Sequence, residues 1–326
     1  MGTRKIMRQK IIDGVKNGLK RGIGGYLWLL KILVPISLGT ALLVYSGWLY
    51  SLDFLIQPAM GLLHLPASAA LPLIIGLFTG IYGAIGAMAA LPLTLDQMTL
   101  IAIFLLISHN IIQESIVQGQ SGFNPVMAAC FRMIMSVCVT FIAAVLMDVA
   151  PPVALDGAAT GTAATVSLGT MLTGWGWDMA GLGLQIFLII MPLMVVMELM
   201  KTFHLIQHIV KAISPVLSLM GLSKSTGVLW LTAAIFGLTY GAAVIVEETR
   251  ENTFDQDELN RLHLSIGINH AMIEDPALFL PLGIFPFWLW VPRLVAAIMA
   301  IYLLHIVNFI RKLHAQRTGH KKLCNH

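Results

Sequence analysis

Long apolar stretches almost free of charge dominate this chain: no Lys or Arg stands between Leu49 and Phe131, between Met133 and Leu199, or between Leu262 and Pro292. In a bilayer every backbone polar group has to be satisfied inside the protein, so such stretches fold either as helices or as closed barrels. The apolar runs here are continuous and do not alternate with period two, which excludes a barrel. What remains is an all-α, polytopic helical membrane protein. Composition agrees, because 57% apolar and only 11% charged residues cannot cover a soluble enzyme of 326 residues. A formal charge of +4 is no reason to expect nucleic acid as a partner, since what matters is where the basic residues sit. Cys130, Cys138 and Cys324 form no metal-ligand or redox spacing.

At about 20 residues per crossing, full spans are expected at 23–48, 123–147, 179–200 and 281–310. Two more stretches, 97–118 and 257–277, are apolar with polar residues in their middles. The stretches 69–92 and 225–246 are interrupted by Gly80, Gly83 and Gly86 and by Gly237 and Gly241, and glycine weakens a helix by roughly 1 kcal/mol per residue against Ala. Both are expected to be re-entrant hairpins that turn at their Gly-Tyr-Gly regions.

The second half of the chain repeats the first. Pro35 matches Pro192 and Pro58 matches Pro215 at a spacing of 157, and Tyr82-Gly83-Ala84 matches Tyr240-Gly241-Ala242 at 158. Thr94-x-Asp96-Gln97 matches Thr253-x-Asp255-Gln256 at 159, Glu114 matches Glu274 at 160, and Pro125 and Arg132 match Pro286 and Arg293 at 161. A drift of this size suits two or three small loop insertions. The expected organisation is a cytoplasmic amphipathic segment 1–22, a first repeat 23–148, a periplasmic linker 149–178, a second repeat 179–310 and a basic cytoplasmic tail 311–326.

Charge decides the topology. Eighteen of the twenty Lys and Arg fall in the groups 4–31, 201–224, 250–261 and 311–322. If the hairpins do not cross, each repeat has three spans and all four groups share one side, which the positive-inside rule makes cytoplasmic. Three crossings also invert the second repeat relative to the first, a transporter architecture. Arg4–Arg21, with its apolar stripe Ile11, Val15 and Leu19, and the face Lys201, His204, His208 and Lys211 are each expected as amphipathic helices on the inner leaflet. The acidic stretch Glu247–Glu258 reads as a solvated cytoplasmic loop.

Ionisable groups inside a bilayer cost about 2.5–3.5 kcal/mol each on insertion scales and default to functional hypotheses. In the first broken span these are His109 and Glu114, with Asn110 and Gln113 beside them; in the second, His270, Glu274 and Asp275, with Asn269. At helical spacing Asn110 shares a face with Glu114, and His270 with Glu274. Arg132 and Arg293 in the following spans are candidates for ion pairs with Glu114 and Glu274 and for gating. At the hairpin tips Gly80, Gly83, Gly237 and Gly241 open the backbone to a ligand, and Tyr82 and Tyr240 add polar side chains. His109, His270, Glu114, Glu274 and Asp275 supply a histidine and carboxylate set suited to a divalent metal. No nucleotide-binding loop, nucleophile elbow or zinc-protease helix is present, so an enzyme is not expected and no cofactor is called for.

With these residues in place the chain resembles the nucleoside-recognition, or Gate, family of bacterial inner-membrane proteins, which is related to the cores of concentrative nucleoside transporters and to the gates of ferrous-iron permeases. The resemblance rests on the order of span, surface helix, glycine-rich hairpin, polar broken span and span, repeated once, and on His270-x-x-x-Glu274-Asp275-Pro276 with its partner Asn110-x-x-x-Glu114-Ser115. It implies a substrate path between the hairpins and the broken spans. The expected function is a secondary carrier or gated permease in the inner membrane, with both termini cytoplasmic and with a homodimer as its assembly. Its cargo is a small polar solute, nucleoside-like or a divalent metal cation, held at the midplane between Glu114 and Glu274. The alternative is a non-transporting membrane partner whose buried ion pairs only fix helix packing.

Overall fold

The computed structural model describes residues 2–48, 53–151, 167–251 and 255–323, and among these every regular element is a helix. The first half runs α1 (Gly2–Tyr45), α2 (Asp53–Gly61), α3 (Ala70–Thr79), α4 (Ile81–Ala89), α5 (Leu95–Ser108), α6 (Ile111–Gln120) and α7 (Pro125–Leu146). The second runs α8 (Leu168–Thr202), α9 (Ile206–Ala212), α10 (Ser214–Leu219), α11 (Lys224–Phe236), α12 (Leu238–Glu251), α13 (Gln256–Asn269), α14 (Glu274–Phe279) and α15 (Pro286–Leu323). Five helical stretches, 6–45, 95–120, 125–146, 168–202 and 286–304, are long and apolar enough to cross a bilayer. The arms of the two hairpins are not: α3 and α4 rise about 15 Å each and α11 and α12 about 20 Å, against about 30 Å of hydrocarbon.

The backbone records the duplication more sharply than the side chains do. Of eleven described residues with positive φ, ten fall into pairs. Gly47 with His204, His64 with Gly221 and Gly80 with Gly237 are 157 apart, and Asn110 with Ala271 and Gly122 with Gly283 are 161 apart. Left-handed backbone is uncommon outside glycine, so five coincidences at two spacings define the register. The gradual drift expected from sequence is therefore a single step of four residues. It falls between the hairpin tip and the broken span, where α12 has 14 residues and its counterpart α4 has 9; the extension is about one helical turn.

This register moves three of the expected matches. The second-repeat counterpart of Glu114 is Asp275, and that of Glu274 is Gln113. Thr94, which caps α5 through a reciprocal box with Gln97, corresponds to Asp255 at the start of α13. Tyr82 corresponds to Thr239 and not to Tyr240. The register also exposes an exchange inside the hairpins. Gly76 lies against Ala84 in the first and Ala233 against Gly241 in the second, so each crossing of the arms has one glycine and one alanine, on opposite partners.

Two contacts join a residue to its own counterpart. The Tyr26 hydroxyl donates to the Gly183 carbonyl at 3.1 Å across 157 residues, and the rings of His109 and His270, 161 residues apart, lie with centroids 5.0 Å apart. A residue can touch its own repeat mate only on a pseudo-twofold axis. Because α1 and α8 run antiparallel where they meet, with residues 14, 18 and 22 against 199, 195 and 191, the halves are inverted.

The two ends of the long helices depart from expectation. Residues 2–45 form one helix of about 66 Å, with no break at residue 22, and its early turns pack on α8. Gly14, Gly18 and Gly22 face Leu199, Val195 and Met191, a small-residue stripe of the kind that lets membrane helices approach closely. Ile11 and Leu19, on the flank of this stripe, stay exposed, and Arg21 pairs with Glu198 at 3.0 Å. Likewise α8 takes in residues 168–178, where the Trp175 indole donates to the Ser37 hydroxyl at 3.0 Å; residues 152–166 of the expected linker lie outside the described residues. The face drawn through Lys201, His204, His208 and Lys211 is interrupted, because α8 ends at Thr202 and His204 has φ 51° before α9 begins.

A side chain at Gly18 would place its Cβ 2.6 Å from the Val195 Cα, a backbone atom that cannot step aside. Gly18→Val is expected to lower stability by about 1–3 kcal/mol through overpacking, read as the thermal midpoint of the detergent-solubilised protein. Gly25→Ala, where a Cβ would meet nothing within 4 Å, should raise that midpoint slightly, since alanine favours a helix interior over glycine by about 1 kcal/mol.

Candidate functional site

The middle of the fold is built by interrupting two buried helices. α5 is enclosed on all sides from Thr99 to Ser108, and α13 from Leu262 to Asn269, so the carbonyls released at their ends have no water to turn to. Fully buried arginines meet them. Arg132 donates through Nε to the Ile107 carbonyl and through Nη2 to that of His109, both at 2.8 Å. Arg293 repeats this on Ile268, at 3.0 and 2.7 Å, and on His270, at 2.8 Å. A cation at a helix C-terminus also opposes the macrodipole. After each break the chain turns through a left-handed residue, Asn110 or Ala271. The amide of that residue donates to a hairpin carbonyl, Gly76 or Ala233, at 3.1 Å in both repeats. Each hairpin is thereby tied to the break of its own repeat.

The two breaks and the two hairpin tips enclose a cavity of about 180 Å³. Gly80 and Gly237 form the tips, with φ of 92° and 84° and ψ near 180°, a region open only to glycine. Of the residues expected at the site, His109, His270, Glu114, Glu274, Asp275, Asn110 and Tyr82 line this cavity. The imidazoles are oriented identically. Nδ1 of His109 lies 2.8 Å from the Leu105 carbonyl and Nδ1 of His270 lies 3.0 Å from that of Ile266. A carbonyl only accepts, so Nδ1 holds the proton and Nε2 faces the cavity in both rings. Around the two Nε2 atoms stand the carboxylates: Glu114 Oε1 3.2 Å from His109, Glu114 Oε2 3.1 Å from His270, and Asp275 Oδ2 3.4 Å from His109. The crossed pairs His109–Asp275 and His270–Glu114 are repeat mates of one another.

The symmetry is broken around this centre. Glu114 accepts from Arg132 at 2.5 Å, whereas Arg293 is held by carbonyls and makes no ion pair among the described residues, so the pairing expected with Glu274 is not formed. Glu274 turns instead to the first hairpin, where Tyr82 donates to Oε1 at 3.1 Å. Beside Gly80 stands the Asn110 amide; beside Gly237 there is only the Ala271 methyl, 3.9 Å from where a Cβ would be.

Five other expected residues take different places. Gln113 is exposed. Asn269 is fully buried behind the cavity with both amide atoms unpartnered. Gly83 packs among Ile36, Ile75 and Thr79, and Gly241 against Ala233, so both serve helix approach. The Tyr240 side chain lies outside the described residues. Residues the sequence did not single out complete the wall: Trp28, edge-on to Tyr82 at 5.4 Å, and Phe236 at the second tip. A second junction between the repeats was missed as well. Gln118 donates to the His263 carbonyl at 2.9 Å, Nε2 of His263 lies 3.1 Å from the Ser121 carbonyl, and its ring stacks on Phe123 at 5.3 Å. A polar pair buried in opposite broken spans was the available signal.

Residues 26–151 match the protein-family model described as Gate: Nucleoside recognition. Over these residues the chain is similar to that family. The match takes in α1 from Tyr26, both hairpin arms, the broken span and α7, and the backbone register carries the same pattern through the second half of the chain. The chain is also 27% identical over 272 residues, 83% of its own length and 87% of the relative's, to a Bacillus subtilis (strain 168) protein described as "Uncharacterized membrane protein YvoD". No solved structure matches the chain significantly.

The two buried arginines, one in each repeat, give a paired test. Arg132→Met strands a buried carboxylate on Glu114 and is expected to cost about 3–5 kcal/mol. Arg293→Met removes only bonds to carbonyls and should cost about 1–3 kcal/mol. Adding Glu114→Gln to Arg132→Met should recover part of the loss. Unfolding in nanodiscs reads all three.

Proposed function

We propose that this protein is a secondary carrier of the bacterial inner membrane, moving a small polar or ionic solute bound on the pseudo-twofold axis between its inverted repeats. The observation that carries this reading is the meeting of His109 and His270 with Glu114 and Asp275 beside a cavity walled by both hairpin tips and both helix breaks. Discontinuous helices that place free backbone and ionisable groups at mid-membrane are the usual substrate sites of inverted-repeat carriers. The buried titratable groups would be an expensive way to fix helix packing alone. The distribution of basic residues supports cytoplasmic termini.

Two cargo classes follow from the same site. The family description, together with the aromatic edge formed by Trp28 and Tyr82 and the Asn110 amide, favours a nucleoside-like solute. The histidine and carboxylate centre favours a cation.

Uptake into proteoliposomes, measured over a panel of labelled nucleosides and divalent cations, tests the carrier reading. Glu114→Gln and Asp275→Asn are each expected to reduce transport by about 100-fold or more, the loss of one charged contact at a binding centre being worth about 3 kcal/mol. Full transport in both variants sinks it. Failure of the wild type to move or be stabilised by any member of the panel, where a ligand at 100 times its Kd adds about 2.7 kcal/mol, leaves a non-transporting membrane partner as the reading.

A further inference from the structure

Imidazoles and carboxylates converge on the axis, and three of the distances between them match those within a coordination shell. Nε2 of His109 and Oδ2 of Asp275 are 3.4 Å apart, Nε2 of His109 and Oε1 of Glu114 3.2 Å, and Nε2 of His270 and Oε2 of Glu114 3.1 Å. A tetrahedral divalent ion with bonds of about 2.1 Å separates its ligand atoms by about 3.4 Å. The ligand atoms of His109, His270 and Asp275 all fall within 4.8 Å of one another. We propose that the cargo held on the pseudo-twofold axis is a divalent transition-metal cation, bound by Nε2 of His109 and of His270 and by the carboxylate of Asp275, with the Glu114 carboxylate beside both imidazoles.

Three independent observations support it. First, His270 is fully buried, and its Nε2, although 3.1 Å from Glu114, makes no directed hydrogen bond; Oδ2 of Asp275 is likewise unpartnered. Buried polar atoms without partners are expensive, and here two of them point at the same centre. Second, both imidazoles give their Nδ1 proton to a backbone carbonyl. That is the outer-shell contact by which proteins fix the tautomer and orientation of a metal-ligating histidine. Third, the formal charges at the cavity are three carboxylates, Glu114, Glu274 and Asp275, against two guanidiniums, Arg132 and Arg293. With neutral imidazoles the centre is one negative charge in excess, which suits a cation.

The chemistry of the set narrows the ion. Calcium and magnesium take oxygen shells, and a soft monovalent ion would want sulfur, whereas two imidazoles with carboxylates suit zinc, iron, cobalt and nickel in their divalent states. Size points the same way. Pockets that bury drug-sized organic ligands run to about 300–1,000 Å³, above the 180 Å³ available here, while a water takes about 30 Å³. The cavity therefore accepts an ion with a few waters more readily than a nucleoside. Glu274, expected among the ligands, is engaged by Tyr82, and Asp275 takes its place beside the histidines.

This inference rests on the carrier reading, and its test separates the two. Cobalt(II) titrated into the purified full-length protein is expected to bind once per chain with visible bands of a mixed nitrogen and oxygen site. His270→Gln and Asp275→Asn are each expected to weaken that binding by about 100-fold or more, a ligand counting for at least as much as the outer-shell contacts worth 10–100-fold. X-ray absorption of the wild type loaded with zinc(II) should show scattering from two imidazoles, which settles the matter even where a variant does not fold. A zinc spectrum without imidazole, or cobalt binding that both variants leave untouched, overturns the site. Uptake of an organic solute dependent on Glu114, with no cobalt bound, sinks the metal and keeps the carrier. Cobalt bound with two imidazoles but never moved across proteoliposomes overturns the role of cargo.

Discussion

Carbonyl groups released in the middle of a bilayer must find donors, and the rest of this structure is arranged around that need. Two helices stop near mid-membrane, at His109 and His270, and a break there is tolerable only where protein covers it. Arg132 and Arg293 supply the donors from the following helices, and the amides of Asn110 and Ala271 fasten each break to a hairpin. Without the arginines those carbonyls would be left buried and unpaired, which would destabilise the breaks to which the hairpins are fastened. The polar centre is therefore a by-product of backbone accounting: once the helices are interrupted, the residues flanking the interruptions face each other across the axis.

Around that shared frame the two halves have diverged in a directed way. The backbone positions that set geometry are kept, including five pairs of left-handed residues, while the side chains that touch the cavity differ. Asn110 stands opposite Ala271, Gln113 corresponds to Glu274, and only one arginine pairs with its carboxylate. One hairpin reaches across to the other repeat through Tyr82 and Glu274; the equivalent residues of the other half, Thr239 and Gln113, offer no carboxylate for such a bond. In the proposed carrier, an exchange between states in which the two halves swap roles would pass between unequal partners, and the two states would differ in stability.

Much of this architecture was legible in the sequence because hydropathy and charge report directly on the bilayer. The spans, the two hairpins, the broken helices and the isolated Arg132 and Arg293 all follow from where polar groups are and are not tolerated. Register was harder. In an apolar alphabet a shift of one residue still aligns Glu with Glu, and Glu114 with Glu274 looked better than Glu114 with Asp275. The spacing of 161 shared by Pro125 and Arg132 extends back through His109 and His270, and only the backbone turns show that it holds. The packing of α1 on α8 was hidden for another reason. Gly14, Gly18 and Gly22 have no hydrophobicity to signal burial, so the eye is drawn to the apolar stripe that faces outward. The cross-repeat junction of Gln118 with His263 needs a distance of 145 residues to be closed in space, and the polar residue in each broken span does not by itself name its partner.

The contacts made on the axis carry a historical consequence. Tyr26 meets Gly183 and His109 meets His270, and these are interactions that a half-length chain would make with a second copy of itself inserted the other way up. A protein able to enter the membrane in both orientations would have had the polar centre already, formed from two identical histidines and two identical acids. Joining the copies end to end fixed one orientation for each. With two distinct halves a mutation falls once in the site where in a pair of identical copies it would fall twice, and Glu274, Asn110 and the ion pair of Arg132 are differences that a pair of identical copies could not carry.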